Sequence, residues 1–224
     1  ISNALNINRF SSGPDVISND ELRASLGIGS DDVIALCVGS VCERKGQLDI
    51  VRALELLSAE TLRRLHVVIV GDNYGSYAKE LKKIVGRWGE VLARRIHFVL
   101  ETDEVWKYYN SADIFICSSR MESYPRVILE AMAAGLAIVS TPVNGIVEQL
   151  REGQNALYYQ SGDHHVLSYA ITRLVDDNEL RNRFGEASKL LLSGLTTFSD
   201  LVRLYEAEFV EASQLSIGGI INER

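Results

Sequence analysis

Short apolar runs alternate with longer amphipathic segments along most of the chain beyond residue 30. The runs are rich in Val, Ile and Leu and are apolar throughout, which is typical of strands covered by helices on both faces. The segments between them repeat their apolar positions at helical spacing. The alternation therefore predicts βαβ units that build a parallel sheet, a Rossmann-like, doubly wound α/β fold.

The pattern predicts six strands, and helices between them. The strands are predicted at residues 33–39, 66–71, 95–100, 113–118, 137–140 and 156–158. The helices between them are predicted at residues 47–57, 77–88, 104–110, 126–134 and 146–151. Beyond residue 162 three amphipathic stretches follow one another, and we expect helices at residues 166–175, 179–192 and 201–212.

The same pattern suggests how the chain is divided. In a doubly wound sheet, ligands bind at the carboxyl ends of the strands, where loops meet helix N-termini, so we expect the site in those loops. We expect an interdomain linker and the start of the domain at residues 1–30, the α/β domain at 31–163, extra C-terminal helices that pack on it at 164–213, and a tail at 214–224.

Composition and charge exclude several classes of protein. Lys and Arg total 23 against 30 Asp and Glu, and a net charge of −7 gives no electrostatic footprint for nucleic acid. Any bound anion must therefore be held by a local group of cations. Two of three cysteines, Cys37 and Cys117, lie in predicted strands, which favours buried thiols in a reduced, cytoplasmic protein. No apolar stretch approaches the roughly 20 residues that span a bilayer.

The segment RMESYPRVILEAMAAGLAIVSTPVNG, residues 120–145, carries the most chemistry. It begins as a loop after a predicted strand, and Pro125 suits the first turn of a helix, where its missing N–H costs nothing. The helix therefore begins at the carboxyl end of a strand. Its N–H groups and positive dipole end, beside Ser123 and Tyr124, favour a phosphate or the oxygens of a sugar.

Two carboxylates, Glu122 and Glu130, frame this helix start, and paired acceptors suit ligands rich in hydroxyl groups. With Gly135 closing the helix, their spacing resembles the E-x7-E motif of glycosyltransferase family 4, retaining enzymes with the GT-B fold. The run ESYPRVILEAMAAG is similar to the family's E-G-F-G-x-x-x-x-E-A-M-A-x-G. Three further segments are similar in the family's order: VGSVCERKG to V-G-R-x-x-x-x-K-G, NSADIFICSS to A-D-x-F-x-x-P-S, and NALYYQSGD to N-G-x-x-x-x-x-G-D.

The resemblance implies a role for each matching residue. Glu122 would approach the donor sugar near its anomeric centre, Glu130 would bind the ribose hydroxyls of the nucleotide, and Lys45 would contact the diphosphate. Backbone N–H groups beside Glu122 would point at the sugar and phosphate, although Pro125 cannot donate. The expected catalytic residues are Glu122 and Lys45, and the expected donor-binding residues are Gly39, Ser40, Arg44, Ser123, Tyr124, Pro125, Arg126, Val127 and Glu130.

One departure from the family pattern concerns charge. Ser40 stands where the family usually has an Arg that pairs with the diphosphate. We hypothesise that Arg44 substitutes for it, because its planar fork suits phosphate while the neighbouring Lys45 acts as a point charge.

The resemblance implies the donor-binding half of a retaining glycosyltransferase, with a nucleotide-diphosphate-sugar as substrate and no metal or other cofactor. The acceptor, a sugar or lipid-linked sugar in polysaccharide or glycoconjugate biosynthesis, would be held by a separate N-terminal domain. We expect that domain to be missing here, and with it efficient transfer and any peripheral attachment to the inner face of the membrane. The alternative is a non-catalytic nucleotide-binding or scaffolding domain. A dinucleotide oxidoreductase is disfavoured, because GSVCERKG lacks G-x-G-x-x-G.

Several of these residues have a purely structural interpretation. Arg126 and Glu130 are spaced for an exposed i,i+4 ion pair, which contributes only about 0.3–0.5 kcal/mol. Arg44 and Lys45 could be solvated, although cations at a helix start oppose the helix dipole. Asp113 is expected to be structural. No metal-ligand spacing links the histidines, of which two adjoin strands and two lie in an expected loop: His66, His97, His164 and His165.

Overall fold

A computed structural model describes Phe10 and residues 19–194. Apart from Ser193, the last residue of the final helix, its helices and strands belong to one compact unit, Leu5–Leu192. Six strands form a parallel sheet: β1 Val33–Val38, β2 Leu65–Asp72, β3 Ile96–Leu100, β4 Ile114–Cys117, β5 Ala137–Ser140 and β6 Ala156–Tyr158. Their order is β3-β2-β1-β4-β5-β6. The Rossmann-like, doubly wound fold is therefore confirmed.

Helices flank the sheet, and a short 3₁₀ turn at Glu43–Lys45 follows β1. None of the described helices is long and apolar enough to cross a membrane. The α-helices are α1 Asn19–Ser25, α2 Gln47–Leu54, α3 Ala59–Arg64, α4 Ser76–Val85, α5 Glu90–Ala93, α6 Val105–Ser111, α7 Arg126–Ala134, α8 Ile146–Gln149, α9 His164–Asp176 and α10 Asn178–Ser193.

Most of the predicted elements are present, with boundaries shifted by a few residues. The short helices α1, α3 and α5 were not predicted, and the helix expected at 201–212 lies outside the described residues. The expectation that His164 and His165 lie in a loop is wrong, because they begin α9. The Asp163 side chain accepts a hydrogen bond from the Val166 N–H and so caps this helix. The proposed domain boundaries stay a prediction.

The core lies between the sheet and its helices. Strand β2 is buried along its whole length, and α9 packs against both α2 and β5. Fully buried Ile50 of α2, Ile69 of β2 and Ile171 of α9 belong to the same apolar cluster. Each such side chain contributes about 1.5–3 kcal/mol when it leaves water. Because β2 is buried at every position, both faces of the sheet are covered there, which explains why the strand sequence is apolar almost throughout.

The cysteines and Asp113 behave as expected from the sequence. Cys37 in β1 and Cys117 in β4 are buried and free, and burial raises the pKa of Cys37 to about 12. The Asp113 carboxylate accepts a hydrogen bond from the Ile34 N–H at 2.8 Å and pairs with Arg23 at 3.1 Å. Asp113 therefore ties α1 to the start of the sheet.

The strand order places a crevice at the carboxyl ends of the neighbouring strands β1 and β4. The chain winds from β1 toward β3 on one side and from β4 toward β6 on the other. Loops that follow β1 and β4 therefore diverge, and ligands of open α/β sheets bind at such a switch point. The loops are residues 39–46 and 118–125, which contain most of the expected site residues.

Candidate functional site

The loop after β1 brings Lys45 over the crevice. Gly39 has a φ of 138°, and an added Cβ there would lie 3.4 Å from Cε of Lys45, so the lysine stem lies against this glycine. Gly46 is left-handed with a φ of 66°, and an added Cβ would lie 2.2 Å from the Ser118 carbonyl oxygen. The Ser118 hydroxyl also donates to the Lys45 carbonyl oxygen at 2.8 Å. The two loops are therefore in direct contact.

The Glu122 carboxylate is the centre of a charged cluster. Its Oε1 accepts from Lys45 Nζ at 2.5 Å, from the Ser119 hydroxyl at 2.9 Å and from Arg44 at 3.3 Å. Arg44 also donates to the carbonyl oxygen of Met121 at 3.1 Å. The side chains of Lys45 and Glu122 are 14% and 10% exposed, whereas Arg44 is 53% exposed. The structure therefore brings together both expected catalytic residues and Arg44.

The cluster keeps Glu122 ionised. Burial alone would raise the pKa of its carboxyl group. Hydrogen bonds from Lys45 and Ser119, and the charges of Lys45 and Arg44, outweigh burial and lower this pKa below the ordinary glutamate value. An anion that enters the crevice must therefore share Lys45 with an existing negative charge.

The loop after β4 forms one wall of a cleft of about 370 Å³. Its backbone is held by Thr141, whose hydroxyl donates to the Ser119 carbonyl oxygen at 2.5 Å. Gly145 approaches so closely that an added Cβ would lie 1.5 Å from the Ser123 carbonyl oxygen. This packing fixes the loop immediately before α7. The cleft is lined by Arg44, Met121, Glu122, Ser123 and Asn144.

Helix α7 begins beside this cleft, as the sequence predicts. Buried Pro125 precedes its first residue, and the Pro125 carbonyl oxygen accepts from the Gln149 side chain at 3.2 Å. Ser123 and Tyr124 are exposed at the helix start, and Arg126 is exposed on its first turn. The N-terminal end of α7 is therefore open to an anion from the cleft side.

Ser40 contributes no charge to the crevice. It is exposed, and its carbonyl oxygen accepts from the side chain of Gln47 at 3.2 Å. Gln47 is fully buried and also accepts from the Cys42 N–H at 3.4 Å, so it braces the loop from inside. The arrangement of Arg44 fits the hypothesis that it supplies the second cation here, and that role stays a prediction.

Glu130 lies apart from the Lys45 cluster. It is 9% exposed, and its Oε2 accepts from the Tyr109 hydroxyl at 3.0 Å, while its Oε1 lies 4.0 Å from Arg126. Burial raises the pKa of Glu130, against the opposing effects of Tyr109 and Arg126. Glu130 is therefore not the exposed ion-pair partner of the structural interpretation. Among the described residues that line the cleft, Glu130 is absent, and Val127 contacts the Tyr109 hydroxyl through its carbonyl oxygen at 3.4 Å.

Three residues that contact the expected site residues or line the cleft were not identified from the sequence. Ser119 donates to Glu122 from three residues before it, and this Ser-x-x-Glu spacing is the signal that could have revealed it. Asn144 lines the cleft with a φ of 41°, a conformation that its Asn-Gly dipeptide favours. Tyr109 contacts Glu130 across two helices, and no local sequence pattern encodes that contact.

A larger cavity, of about 690 Å³, lies at the opposite edge of the sheet. It includes His66 and His97, whose rings are hydrogen-bonded at 2.9 Å, together with Asp32 and Arg95. Its walls carry Arg94 and Arg95 against Asp32 and Glu90, so their formal charges balance. Cavity volume alone would therefore favour this cavity as the ligand site. The switch point of the sheet and the excess of cationic side chains in the β1 and β4 loops favour the crevice instead.

The sheet, its switch point and the crevice with Arg44 and Lys45 define an open α/β domain with a candidate site for an anionic ligand. The chain belongs to the glycosyl transferases group 1 family, whose family model matches residues 18–191.

Two curated relatives agree with this family. The lipopolysaccharide core biosynthesis glycosyltransferase LpsE of Rhizobium meliloti is 30% identical over 188 residues, 84% of this chain and 52% of that protein. The D-inositol 3-phosphate glycosyltransferase of Corynebacterium jeikeium is 30% identical over 184 residues, 80% of this chain and 44% of that protein. The chain thus spans about half the length of these relatives.

A solved structure shows the same fold. Anabaena HepE in complex with UDP-glucose superposes with a TM-score of 0.79 at 24% identity, over 94% of this chain and 56% of that chain. The expectation of a glycosyltransferase domain with a Rossmann-like fold is therefore confirmed, and the assignment to family 4 with retention stays a prediction.

Proposed function

We propose that this chain is the donor-binding half of a retaining glycosyltransferase of family 4. The observation that carries the proposal is the charged cluster of Arg44, Lys45 and Glu122 at the switch point of the sheet, beside the start of α7. A cation pair next to a helix N-terminus suits a diphosphate. A carboxylate in the same cleft suits the hydroxyl groups of a sugar.

The same groups suit the chemical step. When the bond between sugar and diphosphate breaks, negative charge develops on the leaving phosphate oxygens. Lys45, Arg44 and the N–H groups of α7 would stabilise that charge without an added metal ion, and removing one such donor typically costs about 3–4 kcal/mol of transition-state stabilisation. Glu122 would lie near the anomeric centre. Glu130 would accept hydrogen bonds from the ribose through Oε1, the oxygen that Tyr109 leaves unoccupied.

The relatives support the proposed donor and acceptor classes. We propose a nucleotide-diphosphate-sugar as donor, since HepE was solved with UDP-glucose. We propose a sugar or lipid-linked sugar of a polysaccharide or glycoconjugate as acceptor, since LpsE is described as a lipopolysaccharide core enzyme. The acceptor would be held by a second domain, through which the enzyme would attach peripherally to the inner face of the membrane.

Calorimetric titration with UDP and UDP-glucose tests the donor site. We expect binding that Lys45→Ala weakens at least tenfold, while Lys83→Ala, which removes an exposed lysine on α4, leaves it unchanged. Equal affinities for the two variants would contradict the proposed site. An unchanged affinity for Arg44→Ala would remove Arg44 alone from it.

A second candidate, a non-catalytic domain of the same descent, is favoured by two residues. Exposed Ser40 brings no cation to the crevice, and Pro125 brings no N–H to the start of α7. Such a domain would bind none of a panel of nucleoside diphosphates or their sugar conjugates. Saturable binding of any one of them would favour the donor-binding function.

A further inference from the structure

Tyr109 of α6 is held rigidly in the core. Its side chain is fully buried. The ring meets Phe10 edge-on, with centroids 5.3 Å apart, and stacks on Phe115 of β4 at 5.6 Å. Two aromatic neighbours in fixed orientations leave the ring little freedom. The position of its hydroxyl group is therefore set by core packing.

That hydroxyl group faces the carboxylate of Glu130. The distance to Glu130 Oε2 is 3.0 Å, and the distance to the Val127 carbonyl oxygen is 3.4 Å. A phenol has one hydrogen to donate, and it goes to the nearer and charged acceptor. Tyr109 thus fixes the inward oxygen of Glu130, which leaves Oε1 directed toward Arg126 on the more exposed side of α7.

This contact matters because Glu130 is buried among apolar residues of α7. A carboxyl group that leaves water tends to take up a proton, and the protonated oxygen then becomes a donor and a poorer acceptor. Arg126 lies 4.0 Å away and is 49% exposed, so solvent screens its charge. The hydrogen bond from Tyr109 is shorter, and the Tyr109 side chain is fully shielded from solvent.

We infer that Tyr109 is a positioning residue of the donor site: its hydroxyl group holds Glu130 Oε2 and so orients the carboxylate, which leaves Oε1 to accept hydrogen bonds from hydroxyl groups of the ligand. The role in ligand binding rests on the proposed function. The action of Tyr109 on Glu130 does not, because it concerns two residues whose contact is observed.

An NMR titration of the Glu130 side-chain carboxyl carbon tests the inference without any ligand. Tyr109→Phe should move the Glu130 titration to higher pH, because the ionised form loses its donor. Tyr108→Phe, which removes a hydroxyl group from the same helix, should leave it in place. An unchanged Glu130 titration in Tyr109→Phe would overturn the inference. Should that variant not fold, 3-fluorotyrosine at position 109, a stronger donor, should lower the pKa of Glu130, and no shift would overturn it equally.

Nucleotide binding separates this inference from the proposed function. We expect Tyr109→Phe to weaken UDP binding about three- to tenfold at neutral pH. The loss should grow as pH falls, and it should disappear for 2′,3′-dideoxy-UDP, which lacks the ribose hydroxyls. A shifted Glu130 titration with an equal loss for both nucleotides would preserve the action on Glu130 and contradict the ribose assignment.

Discussion

The carboxylates of Glu122 and Glu130 lie before and after the start of α7, and both are largely shielded from solvent. Their surroundings shift their pKa values in opposite directions. Three donors surround Glu122 and hold its pKa below the ordinary value, whereas burial with fewer charged neighbours raises the pKa of Glu130. Pairs of carboxyls separated in this way commonly serve different roles. Each of the two carboxylates gives a testable prediction.

Replacing Glu122 by Gln should strengthen the binding of a nucleoside diphosphate. The change removes a negative charge from the crevice and releases Lys45, which lies 2.5 Å from the carboxylate. We expect UDP affinity to rise about three- to tenfold in calorimetry. The matched control is Glu43→Gln, which removes a carboxylate that is 79% exposed on the same 3₁₀ turn as Lys45. It should have no effect on UDP affinity. Weaker or unchanged binding by the Glu122 variant would show that Lys45 does not meet the diphosphate.

Replacing Glu130 by Gln should stabilise the fold at neutral pH. A carboxyl whose pKa is raised on folding costs stability once it ionises, and that cost is absent below the ordinary glutamate pKa. The free energy of unfolding should therefore rise on the order of 1 kcal/mol at pH 7, and the gain should vanish below about pH 4. Urea denaturation at several pH values measures it. A loss of stability at pH 7 would mean that Tyr109 and Arg126 outweigh the cost of burying the ionised carboxylate.

The sequence predicted the charged residues Arg44, Lys45 and Glu122 of the site, but neither Ser119 nor the contacts among these side chains. Motif spacing placed Lys45 and Glu122 in two loops at one sheet edge, and the sheet order brought them together. The direct ion pair depends on side-chain orientation, which no spacing encodes. The partner of Glu130 was missed for the same reason, because Tyr109 reaches it from another helix.

At the scale of elements, the site depends on loops that touch through glycines. Gly46 of the β1 loop is left-handed and lies against the backbone of Ser118, and Gly145, which follows β5, lies against that of Ser123. A side chain at position 46 would push the β1 and β4 loops apart. The separation would move Lys45 away from Glu122, so loop contact and site geometry are linked.

Gly46→Ala should therefore destabilise the protein by about 2 kcal/mol or more, from backbone strain together with the clash at 2.2 Å. Gly153→Ala is the matched control, because Gly153 has a φ of 73° and nothing within 4 Å of an added Cβ. Strain alone should cost it about 1 kcal/mol. Comparable losses in urea denaturation for both variants would show that the loops can separate freely.

The elements that the sequence predicted differ physically from those it missed. Strands buried on both faces, and helices such as α4 and α9 with a long apolar stripe, leave strong periodic signals. The missed helices are short, and α3 has six residues. It is defined by a cap instead, since the Ser58 side chain accepts from the Thr61 N–H at 3.1 Å.

At the scale of the whole molecule, the chain corresponds to about half of its curated relatives. Transfer needs donor and acceptor to be held together, and this positioning accounts for about 7–11 kcal/mol of a typical barrier. We therefore predict that these 224 residues bind nucleotide but transfer sugar negligibly. A radiolabelled-sugar assay with simple acceptors checks this. Robust transfer would mean that this chain holds an acceptor by itself.

The order of the strands also has a consequence for biosynthesis. Lys45 and Glu122 are 77 residues apart, so at ribosomal speed the lysine is made roughly 4–15 s before its partner. Between the completion of β2 at residue 72 and that of β4 at residue 117, β1 can pair with β2 but its other edge waits for β4, an open edge that invites mispairing. A nascent chain at that stage has no complete pocket, so a ligand of that pocket cannot assist folding until the second loop has been translated.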